Sequence, residues 1–321
     1  MKTYKNLIYK NITLEKCKEI IIKASKHKIK RKGVIKVLND LDYYSMELYK
    51  MVLNDTYLFA KSNYFKVNEY GKVRTIQSSP FFPNQCIDYL FLECGFKEII
   101  LSKVNFESFG NCPKKGVHKG TKFIHKTLKN KNYKYFMKFD ISKYYENIDT
   151  QILYKQIEKI IKDRKFLSLA KQLLNNFGKA LSIGSISSQY LALFYLTDFV
   201  NNLKIECKKN NSKLVCNYVD DFLILGNNKR KLLKILKWAK EYLATLKLKI
   251  NKKTIIYKRD ERIISMLGYR FNGKIIILRK SILKRLYKSK CKKRFWGWLK
   301  WTNCYKLKEK YYYELKISSN K

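Results

Sequence analysis

The sequence predicts an α+β fold, and three observations carry that reading. Several stretches place apolar residues at helical spacing. Between them lie short β-rich runs broken by Gly, Asn or Asp. The third is Asn217 to Gly226, NYVDDFLILG, where Asp220 and Asp221 sit between Leu214, Val215, Tyr218 and Val219 on one side and Phe222 to Leu225 on the other. That pattern reads as a β-hairpin with two acids at its tip. Two close carboxylates repel, and one would be protonated unless a cation sits between them; hard oxygen ligands of this kind suit Mg²⁺. Taken alone, an Asp-Asp pair also fits a plain surface turn.

Composition narrows the partners. A chain of 321 residues can bury a core and form two or three lobes. It carries 70 Lys and Arg against 25 Asp and Glu, a net charge of +45 spread along its whole length. Such a field predicts a polyanionic partner bound in a salt-dependent way. The 25 Tyr contribute to an aromatic share of 15%, surface suited to stacking on bases. An AT-rich genome would explain Lys in place of Arg, but not the shortage of acids. The eight Cys include no CxxC pair, and Cys112, His118 and His125 match no zinc spacing. Free thiols in a reducing cytoplasm are expected. The start, MKTYKNLIYK, has no signal-peptide core, and the longest useful apolar run, Tyr190 to Leu196, is far too short to span a membrane. A soluble, intracellular protein with no membrane partner is the expectation.

Along the chain, Leu14, Cys17, Ile21 and Ala24 mark a helix over 13–25, and a second helical pattern runs from Val34 to Val52. Between them lies HKIKRKG, His27 to Gly33, either a solvated loop or a phosphate contact. Tyr64 to Ile76 reads as two strands with Tyr70-Gly71 at the turn. Lys66, Lys72 and Arg74 decorate it and could clamp a triphosphate, Arg74 being best suited to bidentate contact; a solvated, Lys-protected edge strand fits equally. Pro83 to Phe96 reads as a buried helix. Ser108 to Gly120, SFGNCPKKGVHKG, is a Gly- and Lys-rich loop whose amides could approach phosphates, without P-loop spacing.

Tyr133 to Ile141 is a strand that ends in Asp140, with Tyr144 and Tyr145 following and Asp149 capping a helix to about Lys162. Asp140 with Asp220 and Asp221 makes three carboxylates, the minimum to hold two Mg²⁺ ions roughly 3.5–4 Å apart for phosphoryl transfer. Leu181 to Val200 opens on a Gly turn, and Ser187 or Ser188 caps a helix apolar nearly all round, with Gln189 among its few polar groups. Leu232, Ile235, Ala239, Tyr242 and Leu246 mark another helix. Asn251 to Thr254 break the pattern before the run Ile255 to Tyr257. Met266 to Phe271 reads as one strand, with Gly273 starting its return. The C-terminal segment mixes Lys and Arg with Trp296, Trp298, Trp301 and Tyr311 to Tyr313, reading as a basic helical lobe for a duplex backbone or an ordinary amphipathic end.

In this order the motifs resemble those of reverse transcriptases. FDISKYY and YVDD resemble the two catalytic blocks of the palm, and IGSISSQ resembles the block between them that contacts template and incoming nucleotide. INKKT resembles the following block with its Lys, MLGYRF the primer grip, and KVRTIQ and SFGNCPKKGVHKG the fingers blocks. The resemblance covers about residues 10–275. It implies a right-hand polymerase fold with fingers, a palm of antiparallel sheet plus helices, and a helical thumb. The parts are a helical extension over 1–55, fingers over 56–132, palm over 133–230, the end of the palm with the primer grip over 231–272, and a basic thumb over 273–321.

Ile183, Gly184, Ser188 and Gln189 form an IGxxxSQ pattern, where intron enzymes carry QGxxxSP. That pattern is similar to the reverse transcriptases of diversity-generating retroelements, as are the compact length and the lack of an RNase H or endonuclease domain. The resemblance implies copying of a template-repeat RNA into cDNA with errors opposite adenines. The partners it implies are template RNA, RNA/DNA hybrid, dNTPs, a non-coding retroelement RNA and a small basic helical accessory protein, in a bacterial, archaeal or phage-encoded cytoplasmic system.

By the same resemblance Asp140, Asp220 and Asp221, with the backbone of Ile141 and Val219, hold two Mg²⁺ ions, for which Mn²⁺ could substitute. Lys72 and Arg74 bind the triphosphate together with Gly184 and Gln189. Tyr145, rather than Tyr144, is the steric gate against a 2′-hydroxyl. Lys253, or Lys252 beside it, protonates pyrophosphate. Ile183, Ser188 and Gln189 shape the template pocket, where Ile183 removes a polar contact. Leu267, Gly268 and Tyr269 form the primer grip. The competing readings are a retron-, abortive-infection- or group II intron-type enzyme of ordinary fidelity, and a catalytically idle RNA-binding scaffold. An RNA-dependent RNA polymerase would need a small residue where Tyr145 stands.

Overall fold

The computed structural model describes residues 2–69, 72–289, 291 and 295–311. α1 (Leu7–Asn11) and α2 (Leu14–Ser25) come first, and the Thr13 hydroxyl caps α2 by accepting from the Lys16 amide. The helix expected from Val34 to Val52 is two helices, α3 (Lys32–Asn39) and α4 (Leu41–Leu53). Asp40 separates them at φ −128°, ψ 52°. The same apolar period continues on both sides, so periodicity alone does not reveal the break.

β1 (Asn63–Glu69) and β2 (Lys72–Ser78) pair antiparallel, with Glu69 opposite Lys72. The expected turn at Tyr70-Gly71 and the side chain of Lys72 lie outside the described residues. The helix expected from Pro83 is a wide turn over Phe81–Gln85, then α5 (Cys86–Glu93) and α6 (Phe96–Lys103). Gly95 parts the last two at φ 106°, a conformation open to glycine. α7 (Val117–Leu128) takes up the end of the stretch expected to be a loop.

β3 (Tyr135–Asp140) leads through a short turn to α8 (Thr150–Ile160), whose first amides, Gln151 and Ile152, donate to the Asp149 carboxylate as expected. α9 (Arg164–Phe177), α10 (Ile186–Tyr195) and α11 (Thr197–Lys209) follow. The cap of α10 is Ser185, not Ser187 or Ser188; its hydroxyl accepts from the Ser188 amide at 3.3 Å. β4 (Ser212–Tyr218) and β5 (Asp221–Gly226) form the expected hairpin, and α12 (Lys229–Thr245) follows it. β6 (Ile255–Lys258), β7 (Ile264–Met266), β8 (Tyr269–Phe271), β9 (Ile276–Leu278), α13 (Lys280–Lys288), α14 (Trp296–Leu299) and α15 (Tyr305–Lys310) complete the described chain. Tyr312 and Tyr313 lie outside the described residues. The strand expected over Met266 to Phe271 is two strands, turned by Leu267 and Gly268 at φ 54° and 82°. Successive positive φ values make a tight hairpin; Leu-Gly is a weaker signal for it than Asn-Gly.

The chain forms two compact units, each assembled from separate stretches. One holds Met1–Val104, Ser142–Asp198 and Ala244–Leu248. Its core includes Phe91, Phe96 and Phe166, whose ring centroids lie 4.9–5.1 Å apart. Truncating one such buried ring to Ala costs about 3–5 kcal/mol. The other unit holds Asn105–Ile141, Phe199–Leu243 and Lys249–Lys321. It contains a four-stranded antiparallel sheet in the order β4-β5-β3-β6 and a three-stranded sheet in the order β7-β8-β9. Phe136, Val215, Leu225, Met266, Phe271 and Leu286 belong to one continuous core there. All eight cysteines are free thiols. Among the described residues no helix is long and apolar enough to cross a membrane.

Candidate active site

The two central strands of the larger sheet set the site. In the β3–β5 register Phe139 faces Phe222 and Asp140 faces Asp221. Side chains alternate along a strand, so the phenylalanines and the acids point to opposite faces. The two rings stack at 4.8 Å and 9°, and Phe199 of α11 meets Phe222 edge-on at 5.6 Å. This packing anchors one face and leaves the acids on the other. Lys138, two residues before Asp140, reaches the Asp221 carboxylate at 3.1 Å. Burial pushes the Asp221 carboxyl above its ordinary range, Lys138 pulls it back, and the like charge of Asp140 pushes it up again.

Asp220 lies in the turn between β4 and β5. Val219 before it takes φ 60°, a left-handed conformation that costs a β-branched residue about 1–3 kcal/mol. Neighbours hold it there. The Asn217 side-chain amide donates to the Val219 carbonyl at 2.9 Å, and the Ile141 amide donates to the Asp220 carbonyl at 3.1 Å. Gly110 presses on the turn from outside: a Cβ there would stand 2.7 Å from Val219 Cγ2 and 2.8 Å from its amide nitrogen.

The stretch from Ser108 to Gly120 was expected to offer amides to phosphates. Four of its amides, those of Ser108, Phe109, Lys115 and Gly116, bond within the protein. Phe109 N–H donates to the Asn217 carbonyl at 2.9 Å, Gly116 N–H to Phe109 and Lys115 N–H to Cys112. Phe109 and Gly110 brace the acidic turn, and their partners there, Asn217 and Val219, lie more than a hundred residues away in sequence.

Asn251 ties Asp140 to the lysine pair. Its backbone amide donates to the Asp140 carbonyl at 2.8 Å, its side-chain amide to the Asp140 carboxylate at 3.2 Å, and its side-chain oxygen accepts from Lys253 N–H at 3.0 Å. The Lys252 and Lys253 side chains are exposed. In the neighbouring sheet Leu267 and Gly268 form the turn and Tyr269 is buried. The Tyr269 hydroxyl sits 3.3 Å from His118 Nδ1 and donates to the Trp298 carbonyl at 3.2 Å.

The other unit carries the remaining candidates. Arg74 is exposed on β2, opposite Val67. Tyr144 is buried and its hydroxyl donates to the Ala192 carbonyl, whereas Tyr145 is half-buried and meets Tyr144 edge-on at 5.8 Å. The Ile183 carbonyl accepts from Gln77 N–H at 2.8 Å, which stitches the Ile183-Gly184 turn to β2. Gly184 takes φ 126°, and a Cβ there would lie 2.4 Å from the Gln77 carbonyl oxygen. Ser188 is fully buried and Gln189 exposed.

The model of the reverse transcriptase (RNA-dependent DNA polymerase) family matches residues 85–271. The chain belongs to the reverse transcriptase family. Its mixed helix-and-sheet architecture is the right-hand polymerase fold class of that family. No curated protein matches it. Among solved structures it is similar to apo telomerase from Candida tropicalis, at 15% identity over 67% of this chain and 47% of that one, with a TM-score of 0.48. The form of that telomerase truncated from the C-terminal domain gives 14% identity, 69% and 55% coverage and a TM-score of 0.49. The complex with the TWJ fragment of telomeric RNA gives 15% identity, 74% and 47% coverage and 0.48. This chain spans about half the length of those telomerase chains.

Reverse transcriptases use divalent metal ions. Among the described residues no three His, Cys, Asp or Glu side chains are gathered into a ready metal cage. Asp140 and Asp221 nevertheless fit a hard cation in donor type: both offer oxygen, they face each other in register, and burial with like charge favours a positive partner. The family match spans Asp140, Tyr145, Gly184, Gln189, Asp220, Asp221, Lys253 and Tyr269, and leaves Lys72 and Arg74 outside. Lys138, Asn251 and Gly110 were missed by sequence reasoning. Only Lys138 carried a usable signal, since it shares a strand face with Asp140 two residues on.

Proposed function

We propose that this reverse transcriptase copies an RNA template into DNA by nucleotidyl transfer at Asp140, Asp220 and Asp221. The observation that carries the reading is the register pairing of Asp140 with Asp221 on adjacent central strands within the family-matched segment. In the reaction the primer 3′-oxygen bonds to the α-phosphorus of a dNTP and pyrophosphate leaves. Asp140, Asp220 and Asp221, with the Ile141 backbone, would hold Mg²⁺ (or Mn²⁺), which lowers the pKa of the 3′-hydroxyl and neutralises charge on the leaving group.

The chain's own residues do the rest. Arg74, with Lys72, holds the triphosphate. Gly184 lets the backbone approach the nucleotide, and Gln189 is the exposed polar group beside it. Tyr145 excludes a 2′-hydroxyl; the burial of Tyr144 against the half-exposed Tyr145 favours Tyr145 for that task. Lys253 gives a proton to pyrophosphate. Leu267 and Gly268 turn against the primer, and Tyr269 anchors the turn from within.

Within the family we assign the chain to the diversity-generating retroelement type, on the IGxxxSQ pattern of Ile183, Gly184, Ser188 and Gln189. Its template would be a retroelement RNA, copied in the cytoplasm with errors opposite adenines and with a basic helical accessory protein. The net charge of +45 supports a nucleic-acid partner. The test is primer extension on an adenine-containing RNA template with Mg²⁺, followed by product sequencing, with Asp220→Asn as control. cDNA with errors concentrated opposite adenines is the expected result. Accurate cDNA would move the assignment to a retron- or intron-like enzyme. Tight RNA binding with no cDNA from wild type, even with retroelement RNA and accessory protein supplied, would leave an RNA-binding scaffold.

A further inference from the structure

The sheet that carries the acids has a second face, and α12 covers it. Phe222 points away from Asp221 and meets Phe199 of α11. Trp238 and Tyr242 of α12 pack on the same Phe199 ring, at centroid distances of 6.0 Å and 5.5 Å. Further along, a Cβ on Gly226 would stand 3.0 Å from Leu232 Cδ2. Gly226 lies at an even step from Phe222 on β5, so both belong to the same face. α12 therefore lies behind the sheet, with Asp140 and Asp221 in front of it. Phe199, β5 and the helix from Lys229 to Leu243 all belong to one unit.

The helix is sorted by charge. α12 buries Leu232, Ile235, Ala239 and Leu243 along one stripe. The opposite stripe is Arg230, Lys234 and Lys237, all exposed, and exposed Lys229 and Lys240 flank it. From Lys229 to Leu243 there are six cations and a single acid, Glu241. Among the described residues none of the five exposed cations is ion-paired, whereas Lys204 of α11 engages Glu107 at 2.8 Å. Like charges a turn apart repel one another, and an external polyanion relieves them.

The spacing and the chemistry narrow that polyanion. Arg230, Lys234 and Lys237 recur at about 5 Å along the helix axis, a stride that a phosphate chain can follow. The helix from Lys229 to Leu243 has no Ser, Thr, Asn or Gln, and Trp238 and Tyr242 pack inward on Phe199. Among the groups that commonly read base edges, the face holds Arg230 and lysines alone. Such a face grips backbone rather than sequence. An acidic protein would answer the charge, but an interface of that kind is built around apolar anchors. Leu233 is the only large apolar side chain exposed on α12.

We propose that the outer face of α12 binds the phosphate backbone of RNA, as a second nucleic-acid site behind the sheet from the catalytic acids. That this RNA is an uncopied part of the template strand rests on the polymerase reading above.

The test uses the full chain and two ligands. One is a short RNA template with a DNA primer; the other is the same pair with the RNA continued as a long uridine tail, at its 5′ or its 3′ end. For wild type the tail should tighten binding. It should also steepen the fall of log affinity with log salt by about two, as expected for three neutralised phosphates of a single strand. Arg230→Gln with Lys234→Gln and Lys237→Gln should abolish that added slope. Gln matches Lys closely in helix propensity, so the variant should fold, and it should bind and extend the short pair as wild type does. Lys155→Gln with Lys159→Gln and Lys171→Gln removes the same charge from exposed positions elsewhere and should leave the added slope in place. An equal loss in both variants would overturn the proposal in favour of diffuse charge. An added slope untouched by the α12 substitutions would also overturn it, and would leave that face to an acidic protein. Extension of the short pair by wild type reads the polymerase separately. Extension without an α12-dependent tail effect overturns this inference alone, and the tail effect without extension overturns the polymerase reading alone.

Discussion

The ring of Trp298 lies directly against Gly268. A Cβ on Gly268 would stand 2.5 Å from Cζ3 of the indole and 2.9 Å from Cη2. Gly268 also takes φ 82°, and the Tyr269 hydroxyl beside it donates to the Trp298 carbonyl. The short α14 therefore pins the turn proposed to grip the primer, through contacts that require glycine twice over.

Gly268→Ala should destabilise the protein by about 2–4 kcal/mol, from left-handed strain and the clash with Trp298 together. In a Trp298→Ala background only the strain remains, so the same change should cost about 1–2 kcal/mol. Denaturant unfolding of the four-protein cycle measures the coupling. Strict additivity would show that the indole does not set the turn.

Gly110→Ala should act on the acidic turn. The added methyl meets the Val219 amide nitrogen, a backbone atom that cannot swing aside. The Asp220 turn must shift, and a shift of about 1 Å at a reacting centre can cost on the order of 100-fold in rate. Primer extension should fall far more than primer–template affinity. An equal fall in both would assign Gly110 to binding or to folding instead.

Asp88→Asn should change how stability depends on pH. Burial raises the Asp88 carboxyl from its ordinary 3.8 to about 6, with the Ser187 and Ser185 hydroxyls and the Lys28 charge opposing. The folded state then binds this proton more tightly than the unfolded state. The contribution favours folding fully below the unfolded value, and it is lost as pH rises through about 4 to 6. Above that range the ionised group costs up to about 3 kcal/mol. The Asn variant should gain on wild type across this window and hold a constant margin above it. A stability difference that stays flat with pH would contradict the raised value.

The features legible in the sequence were those written locally. Asp149 sits one residue before α8 and caps it, because an N-cap acts within three residues. Asp140 ends a strand of alternating burial and Asp220-Asp221 breaks an apolar hairpin, so both acidic elements can be read from spacing alone. Where local signals tie, the reading failed. Asp40 interrupts a helical period that continues unchanged beyond it, and Ser185 competes with Ser187 and Ser188 for the same cap.

By itself, the sequence determined the strongly basic charge on which a nucleic-acid partner is proposed, the alternation of helices and hairpins through apolar period, and the candidate acids through their position at strand ends. Only the tertiary structure decided which acids face each other, that Lys138 and Asn251 attend them, and that Phe109 and Gly110 of the glycine- and lysine-rich segment brace the acidic turn. The physical reason is range. Periodicity and capping act over a few residues, whereas Ser108 meets Asn217 across 109 positions and Lys138 meets Asp221 across two strands. Contacts of that kind exist only once burial of the shared core has brought the strands together.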